Sequence, residues 1–203
     1  MVIQKIYRQE IKISNLKKRT PSKGKHMSSR KLEVVAYQPS WQTMFAKEKQ
    51  LLLAHLPNSN IVNIHHIGST SVPELAAKPI IDILLEVHSL QELDEADHLF
   101  SQMNYEIKGE NGIANRRYFQ KGGDQRSHHL HAFAINDVNV SKHLAFRDYL
   151  RQFPAIKNAY QTLKQQAVLA CNGDMEKYMA HKHDFIQQHT QEALIWWQEH
   201  PST

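Results

Sequence analysis

His65-His66-Ile67-Gly68-Ser69-Thr70-Ser71-Val72-Pro73, followed shortly by Ala77-Lys78-Pro79-Ile80-Ile81-Asp82, is the most informative stretch of the chain. The Ile and Val content of Ile61 to Ile67 predicts a strand. Gly68 lets the backbone turn tightly at its end and approach a ligand closely. Ser69, Thr70 and Ser71 supply hydroxyls and backbone N–H groups of the kind that hold phosphate oxygens. Val72 to Lys78 reads as a loop or a single helical turn. Ile80 to Val87 is a second strand, apolar enough for the centre of a sheet. Alternation sets Asp82, Leu84 and Glu86 on one face and Ile81, Ile83 and Leu85 on the other. An Asp within so apolar a strand is costly unless it is paired or bound to a metal. It therefore reads either as a structural carboxylate accepting backbone N–H bonds or as a metal ligand.

Outward from this stretch, the pattern alternates between strands and helices. Leu32 to Tyr37 predicts a short strand. Pro39-Ser40 opens a helix with Ser40 as N-cap, and Trp41, Met44, Phe45, Leu52 and Leu56 mark its buried face. Ser89 with Glu92 forms a capping box for a helix through about Met103. Tyr105 to Lys108, Arg116 to Lys121 and His128 to Ala134 are further strands, the last two joined as a hairpin at Gly122-Gly123. After Asp137 the chain is helical. Phe146, Tyr149, Leu150 and Phe153 line one helix. Pro154 starts the next, with Ile156, Tyr160, Leu163 and Ala167 on its apolar stripe. Asn172-Gly173-Asp174 ends that helix, and a last one runs to about Trp197. The expected fold class is α+β, a mixed sheet flanked by helices with a helical C-terminal portion.

Composition narrows the function classes. The chain has 203 residues, 41% hydrophobic and 22% charged, as expected of a globular domain with its own core. One cysteine, Cys171, excludes a disulfide framework and any multi-Cys metal site, and reads as a small core residue. The longest apolar run, Pro79 to Val87, carries Asp82 and Glu86 and is far short of the ~20 residues that span a bilayer. With no apolar leader, the expected location is cytoplasmic. Residues 1–31 carry ten Lys/Arg and one acid, Glu10, whereas residues 32–203 carry fifteen Lys/Arg and nineteen Asp/Glu. The basic character belongs to an N-terminal extension, 1–31, expected to be poorly ordered, and the domain is 32–203. Nucleic acid is expected as a partner only through that extension.

Other candidate site residues lie downstream. His129 and His131 are two apart on a strand and face the same side. If that strand neighbours Ile80 to Val87, His131 reaches Asp82 as ligand or general base. Imidazoles on one face suit a transition metal; the alternative is a pair that hydrogen-bonds and orders the loop. His181 and His183 are poor co-ligands, because residues two apart on a helix face different ways. Lys78 and Arg117 are candidates for binding a nucleotide's phosphates, and Arg147 with Arg151 forms a positive stripe on a helix. No Walker A or G-x-G-x-x-G pattern occurs.

His66 to Pro73 with Ala77 to Ile83, His129-Leu130-His131, and the helix motif Phe146 to Arg151 together resemble the GrpB family, from about Leu32 to Thr190. That family looks like an outlying branch of the nucleotidyltransferase superfamily and is sometimes fused to dephospho-CoA kinase, a kinase domain that is not expected here because no Walker A pattern occurs. The resemblance implies a Gly68-Ser69 turn under the phosphates of a nucleotide or phosphorylated small molecule, with Asp82 binding Mg²⁺ or another divalent metal. A second carboxylate is expected two residues on, where this chain has Leu84. Glu74 stands where the family usually has glycine, adding a negative charge near the phosphate site. The implied catalytic residues are Asp82 and His131. The implied metal ligands are Asp82, His129 and His131, and the implied phosphate binders are Gly68, Ser69, Thr70, Ser71, Lys78 and Arg117. Leu84 leaves three readings: a one-metal site, a site that recruits histidine, or a binding module without transferase activity.

A chain starting at Met27 is expected to keep its melting temperature and its ligand response. A fall of several degrees would show that the extension packs on the domain. If the extension binds nucleic acid, full-length protein shows salt-dependent DNA or RNA affinity that the shorter form lacks.

Overall fold

The computed structural model describes residues 32–200, so the N-terminal extension lies outside the described residues. Helix α1 (Ser40–His55) precedes strands β1 (Ile61–Ile67) and β2 (Ile81–Val87), which are separated by a short 3₁₀ turn at Ser69–Ser71. Helices α2 (Leu90–Glu95) and α3 (Asp97–Gln102) lead to β3 (Tyr105–Ile107), β4 (Arg117–Lys121) and β5 (His128–Ala134). Helices α4 (Val138–Gln152), α5 (Pro154–Cys171) and α6 (Met175–Glu199) complete the chain. The five strands form one mixed sheet in the order β1-β2-β5-β4-β3. Only β2 and β5 run parallel; the other pairs are antiparallel. This is the expected α+β architecture.

Local structure departs from the sequence reading at three places. Leu32 to Tyr37 is not a strand: Val35 makes only an isolated bridge to Ala77. Its apolar residues are used in packing instead, Leu32 and Val34 against α5 and α6 and Val35 against the main core. Ser40 is the first helical residue, not the cap; Pro39 holds the cap position, and no side chain caps the helix. The helix expected through Met103 is two, broken at Ala96, with Ser89 accepting from the Glu92 amide as expected of a cap.

The sheet has a core on each face. Ile81, Ile83, Leu85 and Val87 of β2 pack with Leu130 and Ala132 of β5, Phe119 of β4, and Trp41, Leu52 and Phe100 from the helices. The opposite face carries Ile67, Leu84 and Phe133 under Val140 and Leu144 of α4. Glu48 of α1 is a buried charge made tolerable by its partners. It accepts from Lys121 Nζ at 2.8 and 3.1 Å and from the Tyr105 hydroxyl at 2.9 Å.

The turn after β1 is tightly fixed. Gly68 has φ +68° and ψ −174°, a combination open essentially to glycine alone. A Cβ there would stand 2.4 Å from Asp82 Oδ2. The Thr70 hydroxyl donates to the Ile80 carbonyl at 3.2 Å, and the Ser71 hydroxyl donates to the Gly68 carbonyl at 2.6 Å. His66 Nε2 then donates to Thr70 Oγ1 at 3.0 Å, and its ring stacks on Phe45. Burial first, then nearby arginines, lowers the His66 pKa to about 4. Burial likewise lowers His131 to about 3 and His143, whose ring on α4 lies tilted beside it at 5.4 Å, to about 4.

Gly68→Ala is expected to cost about 1–3 kcal/mol from the backbone alone, with the contact against Asp82 adding to it. Chemical denaturation checks this, and unchanged stability would count against the described turn. These three histidines set a second expectation. In the unfolded chain they titrate near 6.5, so there they bind protons that the folded protein resists. Their contribution is complete above pH 6.5 and is lost as pH falls toward 4. Urea midpoints should drop from pH 7 to pH 5, and His143→Gln should flatten that slope. A midpoint constant across this range would refute the assignment.

Candidate functional site

Strand register brings the expected residues together. β1 is antiparallel to β2 with Ile67 opposite Asp82, so the Gly68 turn arrives beside the Asp82 carboxylate. β5 is parallel to β2 with Asp82 opposite His129 and Leu84 opposite His131. His129 Nδ1 donates to Asp82 Oδ1 at 3.1 Å. Its other ring nitrogen, Nε2, is buried without a hydrogen-bond partner. Burial pushes the Asp82 carboxyl up, but the His129 hydrogen bond and the charges of His129, His131 and Lys78 outweigh it, and the group ends below its ordinary range. Asp82 thus favours its charged form at the mouth of the turn.

These residues line a cavity of about 520 Å³, within the usual range for small-molecule sites. Gly68, Ser69, Thr70, Lys78, Asp82, His129 and His131 all contribute to its wall. His131 lies one step from Asp82 along the face. Its Nδ1 meets an Arg116 guanidinium nitrogen at 3.5 Å, and its ring lies between Tyr118 and His143. The histidine that touches Asp82 is therefore His129.

Two expected phosphate binders are placed elsewhere. Arg117 points to the opposite face of the sheet, where its Nε and a terminal nitrogen donate to the two Asp94 oxygens at 2.5 and 2.7 Å. The cause is strand alternation: Tyr118 and Gln120 pair with His131 and His129 across the sheet, which turns Arg117 and Phe119 away. Ser71 is fully buried with its hydroxyl bonded to the Gly68 carbonyl, so it serves the turn. Thr70 lines the cavity, but its hydroxyl is also engaged within the fold. Glu74, at φ +66°, adopts the left-handed conformation that glycine takes most readily; it is exposed, pairs with Lys157 and does not line the cavity.

The carboxylate inventory is short. Leu84 is completely buried under α4. Glu86 is held by His65 Nε2 at 2.7 Å and is not in the cavity wall. Among the described residues, no three of His, Cys, Asp and Glu gather as a metal-binding group. A histidine-rich cage of Asp82, His129 and His131 is therefore not assembled. One ionised carboxylate beside an open cavity could hold a hard cation that completes its shell with water and ligand phosphates; the His129 imidazole would not be a ligand for such a cation.

Residues not singled out in the sequence form the remaining wall. Arg116 donates to the Asn111 carbonyl at 2.8 Å and sits over the Tyr118 ring. From the C-terminal helices come Tyr160 and Lys164 on α5, and Tyr178 and Lys182 on α6. Each lysine follows its tyrosine by four positions and lies over that tyrosine's ring, at 4.6 and 4.3 Å from the centroid. The sequence signal was a lysine on an otherwise apolar helical stripe, occurring twice with the same Tyr-x₃-Lys spacing. Arg147 and Arg151 instead brace the turn, donating to the His66 and Ser71 carbonyls at 3.2 and 2.8 Å. His181 and His183 are exposed. Cys171 is buried in the core, and no described helix is long and apolar enough to cross a membrane.

Comparison with known proteins agrees with this architecture. The chain is 43% identical to UPF0157 protein YqkA of Bacillus subtilis over 82% of its own length, and spans 48% of that relative. Its fold matches the crystal structure of conserved protein GrpB from Enterococcus faecalis, with a TM-score of 0.79 and 42% identity over 82% of this chain and 99% of that one. Cid1 in complex with its short product ApU gives a TM-score of 0.47 at 13% identity over 66% of this chain and 42% of that one, a likeness too distant to bear on function. The profile of the GrpB protein family matches residues 31–192, and the chain belongs to that family.

Proposed function

We propose that the cleft between the Gly68 turn and Asp82 binds the phosphates of a nucleotide, with a divalent cation of the Mg²⁺ type on Asp82. The observation that carries this reading is the contact of turn and carboxylate, so close that a Cβ on Gly68 would overlap Asp82 Oδ2. Phosphate backbone sites need close approach of this kind, and a carboxylate beside them needs a cation to tolerate a phosphate. When bound, the cation would neutralise phosphate charge and orient the chain. Asp82 would hold it, His129 would fix the carboxylate through Nδ1, and Gly68 and Ser69 would shape the phosphate bed. A cytoplasmic setting suits this ligand pair.

A second reading is favoured by Leu84. With a buried leucine where a nucleotidyltransferase-type site expects its second carboxylate, the protein would bind the nucleotide without transferring it. Both readings share the binding site and differ only in turnover. Release of pyrophosphate from a nucleoside triphosphate separates them.

Thermal shift with the four ribonucleoside triphosphates, each with and without Mg²⁺, Mn²⁺ and Zn²⁺, tests the shared site. A ligand at 100 times its Kd stabilises by about 2.7 kcal/mol, or roughly 5–10 °C for a domain of this size. Asp82→Asn should remove the metal-dependent part of that shift. A full Mg²⁺-dependent shift in Asp82→Asn, or no response to any nucleotide in the parent, would sink the proposal.

A further inference from the structure

We propose that Lys78, Lys164 and Lys182 form a subsite for linked phosphates, so that the ligand of this cavity carries a di- or triphosphate chain. This inference rests on the phosphate reading above and specifies its ligand. Lys164 is 2% exposed and Lys182 7%. Lysines are almost never so buried without an acidic partner. Among the described residues, neither of the two has a carboxylate within ion-pair distance. The Lys164 ammonium donates to the Ala76 carbonyl and lies over Tyr160. Lys182 lies over Tyr178, and the same ring has Lys78 Nζ at 5.2 Å from its centroid. Lys78 also reaches Met175 Sδ at 3.5 Å.

Three amines from three elements thus line one cavity wall, in mutual repulsion. Burial lowers Lys164 to about 7, with Lys182 adding to the effect. Burial and then Lys78 lower Lys182 to about 8, against the pull of Asp82. The other charged or titratable groups of this wall are Asp82 on β2, Arg116 and Tyr118 at β4, His129 and His131 on β5, and the ring tyrosines Tyr160 and Tyr178. Burial holds Tyr160 and Tyr178 protonated, the latter pushed up to about 12. Among the described residues of this wall Asp82 is the one acid, too little for the two buried ammonium groups of Lys164 and Lys182. A single phosphate brings up to about two negative charges, whereas a linked chain brings more and reaches several amines at once. A multiply charged anion restores the protonated amines, so binding takes up protons and weakens as pH rises from 7 to 9.

The test is calorimetric titration of the full chain, metal-free, with orthophosphate, pyrophosphate and tripolyphosphate at pH 7 and 9, in buffers of differing ionisation enthalpy. Tripolyphosphate should bind at least tenfold more tightly than orthophosphate, with proton uptake at pH 8. Lys182→Met should weaken it at least tenfold while raising the melting temperature of the ligand-free protein at pH 7, because a repelled buried charge is gone. Lys78→Gln, at a half-buried site, should weaken it as well. Equal affinity for the three anions, or full tripolyphosphate binding by both variants, overturns the subsite. A Mg²⁺-dependent nucleotide shift without tripolyphosphate binding, unaltered in both variants, also overturns it but leaves the nucleotide reading standing. Tripolyphosphate binding that requires Lys182, with no response to any nucleotide, overturns the nucleotide reading and leaves the subsite intact.

Discussion

The arrangement of the site depends on the contact between Gly68 and Asp82. Antiparallel pairing of β1 with β2 puts Ile67 opposite Asp82, so the first residue after β1 must turn against that carboxylate. Only a residue without a Cβ fits, and its φ of +68° with an extended ψ is open essentially to glycine. Around this point the chain uses hydroxyls as struts: Thr70 to the Ile80 carbonyl and Ser71 to the Gly68 carbonyl. Arg147 and Arg151 tie the same turn to α4. The helical C-terminal third is thereby anchored to the sheet at the place where the cavity opens.

The cavity combines one acid with several bases, and their environments differ. Asp82 is held charged by His129 and the surrounding positive groups. The lysines of α5 and α6 are held toward neutrality by burial and by one another. His131 stays neutral well below pH 6.5, and so does His143 beside it, outside the cavity wall. Titratable groups with displaced pKa values gathered in one cleft are a recognised mark of functional sites. Here the displacement has a simple origin: the amines of Lys164 and Lys182 and the imidazole of His131 are enclosed with, among the described residues, too few carboxylates to compensate them. Leu84 contributes to that shortage, since its place on β2 faces the same way as Asp82 but is filled by the packing under α4.

Some of this was legible in the residues. Ile and Val content placed β1, a continuous apolar run placed β2, and helical spacing placed the C-terminal helices, because apolar burial dictates these patterns. Gly68 and Asp82 were legible because each breaks its local rule, a glycine ending an apolar strand and an acid inside one. Leu32 to Tyr37 misled because its apolar residues pack as side chains without finding a strand partner. Arg117 misled because the face a strand presents to a site depends on register with its neighbour, which the residues of one strand do not encode.

The sequence alone determined the α+β class, the Gly-Ser turn and the carboxylate in a buried strand. Those features are local and follow from propensity, alternation and composition; that Leu84 stands where a second carboxylate is expected was read from the family resemblance. Tertiary structure alone decided that His129 rather than His131 meets Asp82, because the parallel register of β2 with β5 sets that pairing. It also decided that Lys164 and Lys182, more than eighty residues beyond the turn, enter the same cavity. Helix periodicity shows which residues share a face, but only the packing of α5 and α6 against the rest of the domain shows what that face meets.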